Sequence, residues 1–171
     1  MNNTITRNVV SLAVLALAIA GSGSAIAADA TAQATGTVIA PIAITKTADL
    51  VLGSFASGAG GGTVTLSTLG VRGKTGDVTL FAGTTPAAAK FDVTGEGGLT
   101  YSITLVPTAL TRSGGPETMS FTPQSDSSTG TLAGVGAAGA QSFFVGGELT
   151  VGAGQVPGTY AGSVTATVAY N

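Results

Sequence analysis

The last fifteen residues of the chain, PGTYAGSVTATVAYN, alternate between two sets of side chains almost without a break. From Tyr160 to Tyr170 the even-numbered positions carry Tyr, Gly, Val, Ala, Val and Tyr, whereas the odd-numbered positions carry Ala, Ser and Thr. A period of two places successive side chains on opposite faces, which is the pattern of a β-strand and not of a helix. Because chain ends usually fray, this regular ending predicts a terminus that is buried or bound.

The same period recurs upstream in short runs that are rich in β-branched residues. We predict nine strands, at Thr37–Thr45, Asp49–Phe55, Gly62–Thr68, Asp77–Ala82, Lys90–Thr94, Leu99–Val106, Glu117–Thr122, Gln141–Val151 and Thr159–Tyr170. Breaks are expected at Ser57–Gly61, Gly70–Gly76, Gly95–Gly98, Ser113–Pro116 and Gly130–Gly139, with a charged hairpin turn at Arg72–Asp77. Many short strands at this spacing predict an all-β sandwich or barrel. The expected bulky core residues are Phe55, Phe81, Phe91, Phe121, Phe143 and Phe144.

The first 27 residues have the layout of a secretory signal peptide. Arg7 is basic, Val9–Ala20 is apolar, and the small-residue site Ala25–Ala27 precedes the expected cut before Ala28. The apolar run is too short to span a bilayer, which takes roughly 20 residues. We therefore predict export through the inner membrane, with no membrane span after cleavage and a sandwich domain over residues 41–171.

Residues 28–40, ADATAQATGTVIA, form an N-terminal arm with small side chains at alternate positions. One face of this arm carries Ala30, Ala32, Ala34, Gly36 and Val38. Three interpretations fit the pattern: the first strand of the sheet, a flexible leader, or an arm that pairs with another molecule. Pro41 follows the arm and interrupts ladder donation there, as an edge strand or a strand start would tolerate.

The composition excludes most catalytic and metal chemistry. The chain has no histidine, which rules out Ser-His-Asp and Cys-His catalysis and imidazole metal sites. It has no cysteine for disulfides, thiolate metal sites or redox work. Charged residues make up 8% of the chain and form no basic cluster, so nucleic acid is not an expected partner. We expect no catalytic residue, no cofactor and no metal site.

Two glycine motifs fail in context. Gly134–Gly139 matches GxGxxG, but a strand follows it where a dinucleotide site needs a helix, and Glu148 comes too soon for the ribose acid. Gly73-Lys74-Thr75 resembles the end of a phosphate-binding loop, yet Thr68 occupies the position of the required earlier glycine. We interpret the first motif as a flexible loop and the second as part of the charged turn.

The ending resembles the closing strand of chaperone–usher fimbrial subunits, which carry a glycine 14 residues from the end and a penultimate tyrosine. Gly158 and Tyr170 occupy those positions. The wider pattern is similar to a bacterial secreted family described as domain of unknown function 4402. The matching stretches are PIAITKTADLVLGSF, FDVTGEGGLTYSITL and FFVGGELTVGAGQVPGTYAGSVTATVAYN. The resemblance implies an immunoglobulin-like, pilin-like sandwich that lacks a final strand, which a periplasmic chaperone and then the arm of the next subunit supply by β-augmentation.

The resemblance also assigns roles to residues. The subunit and chaperone interface would comprise Gly158, Val164, Ala166, Val168 and Tyr170, with Gly158 permitting close backbone approach. The donated face would comprise Ala30, Ala32, Ala34, Gly36 and Val38. The implied partners are copies of the chain in a filament, a periplasmic chaperone and an outer-membrane usher, and the implied location is the periplasm and then the cell surface. The arm departs from the fimbrial pattern because its side chains are small and bury little area.

The sequence is compatible with three functions. The first is a structural subunit of a surface fimbria or pilus, assembled by donor-strand exchange. The second is a self-complete secreted sandwich that binds a surface ligand, in which the last strand is an ordinary core strand. A glycan site would usually show exposed aromatic residues, but the chain has no Trp and only three Tyr. The third is a secreted enzyme, which the missing histidine and the scattered acids disfavour.

Overall fold

A computed structural model describes residues 26–171. Residues 1–25, and with them nearly all of the predicted signal peptide, lie outside the described residues. The compact domain spans Thr37–Asn171. Residues 26–42 contain no helix or strand, and all side chains of residues 26–39 are exposed. The strand predicted at Thr37–Thr45 therefore begins only at Ala43.

The described residues form eleven strands and one turn of 3-10 helix at Gly136–Ala138. The strands are β1 (Ala43–Ala48), β2 (Phe55–Leu66), β3 (Arg72–Leu80), β4 (Ala89–Gly95), β5 (Thr100–Val106), β6 (Thr108–Arg112), β7 (Thr118–Ser125), β8 (Thr129–Thr131), β9 (Gly139–Val151), β10 (Tyr160–Ala161) and β11 (Thr165–Tyr170). Within residues 26–171, no helix has the length and apolar character needed to cross a membrane.

Two antiparallel sheets make up the domain. The first has eight strands, in the order β1-β4-β9-β7-β6-β10, with β2 also paired to β9 and β3 paired to β2. The second has three strands, in the order β11-β5-β8. The predicted all-β sandwich class is thus confirmed.

The buried side chains of the core are apolar and recur at every second residue along the strands. They form two clusters. The first core cluster comprises Leu52, Val64, Leu66, Val78, Met119, Phe121, Leu149 and Val151. The second core cluster comprises Ala89, Phe91, Val93, Tyr101, Ile103, Leu132, Phe143 and Val145. In the second, the rings of Phe91 and Phe143 stack with centroids 5.3 Å apart. The buried hydroxyl of Tyr101 donates to Oε1 of Gln141, and burial raises the pKa of this tyrosine.

The long strand β9 connects the two clusters. Residues Gly139–Val145 pair with β4, whereas Gly147–Val151 pair with β2, so β9 changes its partner at the Gly146-Gly147 pair. Its other edge pairs with β7 from Val145 to Leu149. The buried positions on either side of the glycine pair belong to different core clusters. Among the described strands, β9 is therefore the one that contributes buried side chains to both core clusters.

Several predicted elements differ from the structure. Of the predicted strand Asp49–Phe55, only Phe55 lies in a strand, as the first residue of β2, and Val51 forms an isolated bridge to Ala87. The turn predicted at Arg72–Asp77 is wrong, because these residues lie in β3 and the turn occupies Ser67–Val71. The glycine break at Ser57–Gly61 is a bulge inside β2, where the carboxylate of Asp77 accepts the amide of Gly60 at 3.2 Å.

Two of the six phenylalanines are not core residues. Phe81 is 48% exposed and Phe144 is 37% exposed, whereas Phe91, Phe121 and Phe143 are buried and Phe55 packs against the first core cluster. The predicted terminal strand Thr159–Tyr170 is also two strands. Its first part, β10, pairs with β6 in the larger sheet, and its second part, β11, pairs with β5 in the smaller sheet.

Candidate docking groove

The first and last strands of the domain are both edge strands. β1 pairs only with β4, and β11 pairs only with β5, so each leaves one row of main-chain groups without a neighbouring strand. Ile42 and Ile44 at β1, and Val164, Ala166, Val168 and Tyr170 at β11, pack against the same second core cluster. We call the line between these two edges the seam, and no strand pairing crosses it among the described residues.

One end of this seam is closed by Tyr170. Its hydroxyl donates to the carbonyl oxygen of Ala40 at 3.0 Å and accepts the amide of Glu96 at 2.6 Å. The carboxylate of Glu96 in turn accepts the amide of Ala40 at 3.1 Å. Three hydrogen bonds thus join the residue that precedes β1, the turn after β4 and the end of β11. We call this arrangement the Tyr170 latch.

The other end of the seam is open. A cavity of about 940 Å³ lies between the chain from Lys46 to Ser57 on one wall and the chain from Gln155 to Val164 on the other. Its floor is formed by core residues of both clusters: Phe91, Met119, Phe121, Leu149 and Val151. Leu50 and Val164, on opposite walls, each pack against both clusters. We call this cavity the seam groove.

Both walls of the seam groove carry unpaired main-chain groups. Among residues 26–171, no main-chain hydrogen bond involves Asp49 or Leu50 on the first wall, or residues 162–164 on the second. Backbone amides and carbonyls that become buried almost always find partners in a folded protein, so these groups need partners once a ligand covers them. The groove therefore offers hydrogen bonds that an extended chain could satisfy, above a floor of apolar side chains.

The five predicted interface residues lie along the second wall and the closed end. Val164, Ala166, Val168 and Tyr170 share the half-buried face of this last segment, while Thr165, Thr167 and Ala169 are exposed. Gly158 lies on the groove wall. The side chain of Arg112 packs against it, and its Cδ would lie 2.8 Å from a Cβ added at this glycine. Close backbone approach occurs instead at Gly162, where a Cβ would meet the carbonyl oxygen of Ala109 at 2.6 Å.

The predicted donor residues Ala30, Ala32, Ala34, Gly36 and Val38 are all exposed and lie outside any strand. Of the three interpretations of residues 28–40, the first strand of the sheet is not what the structure contains, since β1 starts after this segment. The other two, a flexible leader and an arm for another molecule, stay predictions.

The second wall is held in place by polar contacts. Tyr160 donates to the carbonyl oxygen of Val156 at 2.7 Å and accepts from Nε2 of Gln155 at 2.8 Å. Arg112, which packs against Gly158, donates from Nε to the carboxylate of Glu117 at 2.7 Å. That hydrogen bond raises the pKa of Arg112 and lowers the pKa of Glu117 below its ordinary value of 4.5.

This ion pair predicts an acid sensitivity of the second wall. A carboxyl whose pKa is lowered on folding stabilises the folded state above its unfolded pKa and loses that contribution as the pH falls through the folded pKa. We expect the midpoint of urea unfolding to fall between pH 7 and pH 3 by a larger amount in the wild type than in Glu117→Gln. Parallel pH profiles of the two proteins would contradict a stabilising role for the pair.

The lining of the groove is almost free of charged side chains. Its only charged lining residues, Lys46 and Asp49, form an ion pair with each other on the exposed rim. Among residues 26–171, no three His, Cys, Asp or Glu side chains come together to hold a metal ion. The sequence pattern does not predict that Leu50, Glu96 and Gly162 belong to the groove and the latch. Only the apolar run around Leu50 carries a signal, and that signal is typical of a strand.

An antiparallel sandwich with one open apolar seam is the class of protein that these features define. The model of the family described as "Domain of unknown function (DUF4402)" matches residues 42–170, and the chain belongs to this family. The match covers β1 to β11 and both walls of the groove, and it starts after the N-terminal arm. No curated protein matches the chain. The family part of the predicted resemblance is confirmed, and the likeness to chaperone–usher subunits stays a prediction.

Proposed function

We propose that this protein is a structural subunit of a bacterial surface fimbria or pilus, in which the seam groove of one copy accepts an extended segment of the next. The observation that carries this proposal is the groove itself, which combines an apolar floor with unpaired main chain on both walls. β-Augmentation uses these two features, since main-chain hydrogen bonds give affinity and alternate side chains enter pockets. A compact ligand would use the floor but leave most of the main-chain groups unpaired.

The inserted segment is the N-terminal arm of a neighbouring copy. Residues 28–38 are exposed and unpaired, and one face carries only Ala, Gly and Val, so the arm can lie close to a groove wall. Asp29 is its only charged residue, and the desolvation cost of burying the remainder is correspondingly small. Small side chains contribute little area at about 25 cal/mol per Å². The affinity therefore depends mainly on hydrogen bonds along the strand.

The positions of the arm and the groove favour a linear array. The chain passes Ala40 at the latched end of β11, whereas the groove opens beside Val164 at the other end. Six residues of strand separate the two ends by roughly 20 Å. A surface at one end of a subunit that binds a different surface of the next subunit is a heterologous contact, which generates open filaments when the rotation does not close.

The same geometry favours partners that protect the protein during export. An open apolar seam with two free edges invites wrong pairing while the chain is outside a filament. A periplasmic chaperone that lends a strand, and an outer-membrane usher that exchanges it, would protect the seam until assembly. Both partners belong to the proposal, as do the periplasmic and cell-surface locations.

The first experiment is a denaturing gel of protein sheared from the surface of expressing cells, with one sample heated and one unheated. We expect a ladder in the unheated lane that collapses to monomer on heating, because strand-exchanged subunits are held without covalent bonds. Purified domain from which residues 1–40 have been removed serves as the size standard for monomer.

A second function is favoured by one specific observation. The Tyr170 latch closes part of the seam with the protein's own chain, as a self-complete binding module would. Monomer in both lanes of the gel, from cells that display the protein, would overturn the filament proposal and favour this module.

A further inference from the structure

We infer that the Tyr170 latch is a tension clamp, which prevents β1 from peeling off the domain when the chain is pulled through its N-terminal segment. The clamp itself is a property of the single domain. Its use rests on the proposed function, since a subunit whose N-terminal arm is held by a neighbour is pulled from that side.

The need for a clamp follows from the position of β1. This strand is the first of the domain, lies at the edge of the larger sheet and pairs only with β4. Four of its six residues are exposed, so little apolar burial holds it. A pull that lifts the chain before β1 away from β4 would break the β1–β4 ladder one hydrogen bond at a time from its first residues, because the bonds of an antiparallel pair run perpendicular to the strands. An unprotected edge strand would therefore be the first element to detach.

The latch holds the chain just ahead of that ladder. Both main-chain groups of Ala40 are engaged, its carbonyl by the hydroxyl of Tyr170 and its amide by the carboxylate of Glu96. Tyr170 belongs to β11 of the smaller sheet, and Glu96 follows β4 of the larger sheet. A force that arrives at Ala40 is thus transferred to both sheets before it reaches Ala43, the first residue of β1.

The site is built to receive the tyrosine. Gly95 is buried, and an added Cβ at this position would overlap the Tyr170 hydroxyl and come within 3.0 Å of Cδ1 of Leu132. The absence of a side chain at Gly95 lets the hydroxyl reach the amide of Glu96, whose hydrogen bond to it is 2.6 Å long. The penultimate tyrosine therefore has a defined role inside its own domain, in addition to any role at an interface.

Amide hydrogen exchange of the purified full-length monomer tests the latch without any filament. In Tyr170→Phe we expect the amide of Glu96, which donates to the tyrosine hydroxyl, to exchange about tenfold faster than in the wild type, which corresponds to the loss of about one hydrogen bond. The amide of Ala40 donates to the carboxylate of Glu96, so we expect the same acceleration at Ala40 in Glu96→Ala. Tyr160→Phe is the matched control, since it removes a tyrosine hydroxyl with two partners elsewhere in the domain. Amides of β9 report global stability, and exchange at Ala40 and Glu96 is compared after normalisation to them.

Force spectroscopy with the pull applied at Ala28 and at the C-terminus tests the clamp. At a fixed force, β1 should detach about tenfold faster in Tyr170→Phe and in Glu96→Ala, while Glu96→Gln, which retains an acceptor oxygen, should stay close to the wild type. Equal detachment rates in all of these variants, or fast exchange of Ala40 in the wild type, would overturn the inference. Failure of the filament proposal would appear in the gel instead and would leave these results unchanged.

Discussion

A chain that lacks residues 28–38 is expected to fold and to be displayed as monomer, but to form no heat-sensitive polymers. The deleted residues make no strand and are fully exposed in the monomer, so their removal takes no buried contact from the domain. In the proposed filament the same residues fill the groove of a neighbour, and no other exposed stretch of the described chain has this length and alternation. Gels of sheared material measure the loss of polymers, and circular dichroism of the purified domain measures whether folding is retained.

Point substitutions in the arm test the role of its alternating face without changing its length. Ala32→Asp places a carboxylate on the proposed donated face, whereas Gln33→Asp places the same charge on the opposite face one residue away. A charge buried without a partner costs several kcal/mol, so we expect polymer yield to fall at least tenfold in Ala32→Asp and to change little in Gln33→Asp. Equal yields from both variants would contradict an alternating insertion.

Binding of the arm to the groove can be measured with a peptide of residues 28–38 and the domain from which these residues are removed, which keeps Ala40 and the Tyr170 latch. Binding to the folded state alone raises stability by about 2.7 kcal/mol when the free peptide is at 100 times its dissociation constant. A peptide with Asp at positions 30, 32 and 34 is the control. A domain that both peptides leave unstabilised would show that the groove takes a different occupant.

The sequence predicted the regular parts of the fold because their pattern is local. β4 and β9 alternate buried and exposed positions over 7 and 13 residues, and this period is visible without any tertiary information. β8 has three residues, too few for a period to appear. β6 follows β5 after a single residue, and the sequence does not predict it, since the predicted strand Leu99–Val106 covers β5 alone.

The errors came from contacts between distant residues. Asp49–Phe55 has the composition of a strand, but Nη1 of Arg72 binds the carbonyls of Leu52 and Ser54 at 2.9 and 3.1 Å. Gly53 between them has a φ of 76°, so the ladder with β3, which ends with the bond from the amide of Phe81 to the carbonyl of Ser54, does not continue to Leu52. The local pattern gave no sign that an arginine 18 to 20 residues away would compete for these groups.

The candidate site could be predicted only where its pattern is local. The half-buried face of β11 followed directly from alternation, and Val164, Ala166, Val168 and Tyr170 do share it. The latch joins residues 130 positions apart, and the groove appears only where two walls from opposite ends of the domain face each other. Neither has a local signature, although Gly95 and Glu96 mark the latch once the fold is known.

Gly147→Ala is expected to destabilise the domain by about 3 kcal/mol or more, the largest effect of any single methyl group that we predict. Gly147 has a φ of 151°, and an added Cβ would lie 2.6 Å from Cζ of Phe121 and 2.9 Å from Cα of Pro123. Real Cβ atoms essentially never approach other atoms closer than 3.0 Å. The methyl group must therefore displace β7 or distort β9 where β9 changes its partner from β4 to β2.

Two further alanine substitutions separate the causes of this loss. Gly98 has a φ of 82° but no atom within 4 Å of an added Cβ, so Gly98→Ala should cost only the backbone strain, about 1–3 kcal/mol. Gly36 has neither restriction, and Gly36→Ala should leave the unfolding free energy unchanged. If urea unfolding gave Gly147→Ala the same loss as Gly98→Ala, steric overlap at the partner change would be excluded. A larger loss would mean that steric overlap with β7 adds to the backbone strain at the point where β9, the strand whose buried residues enter both core clusters, changes its partner.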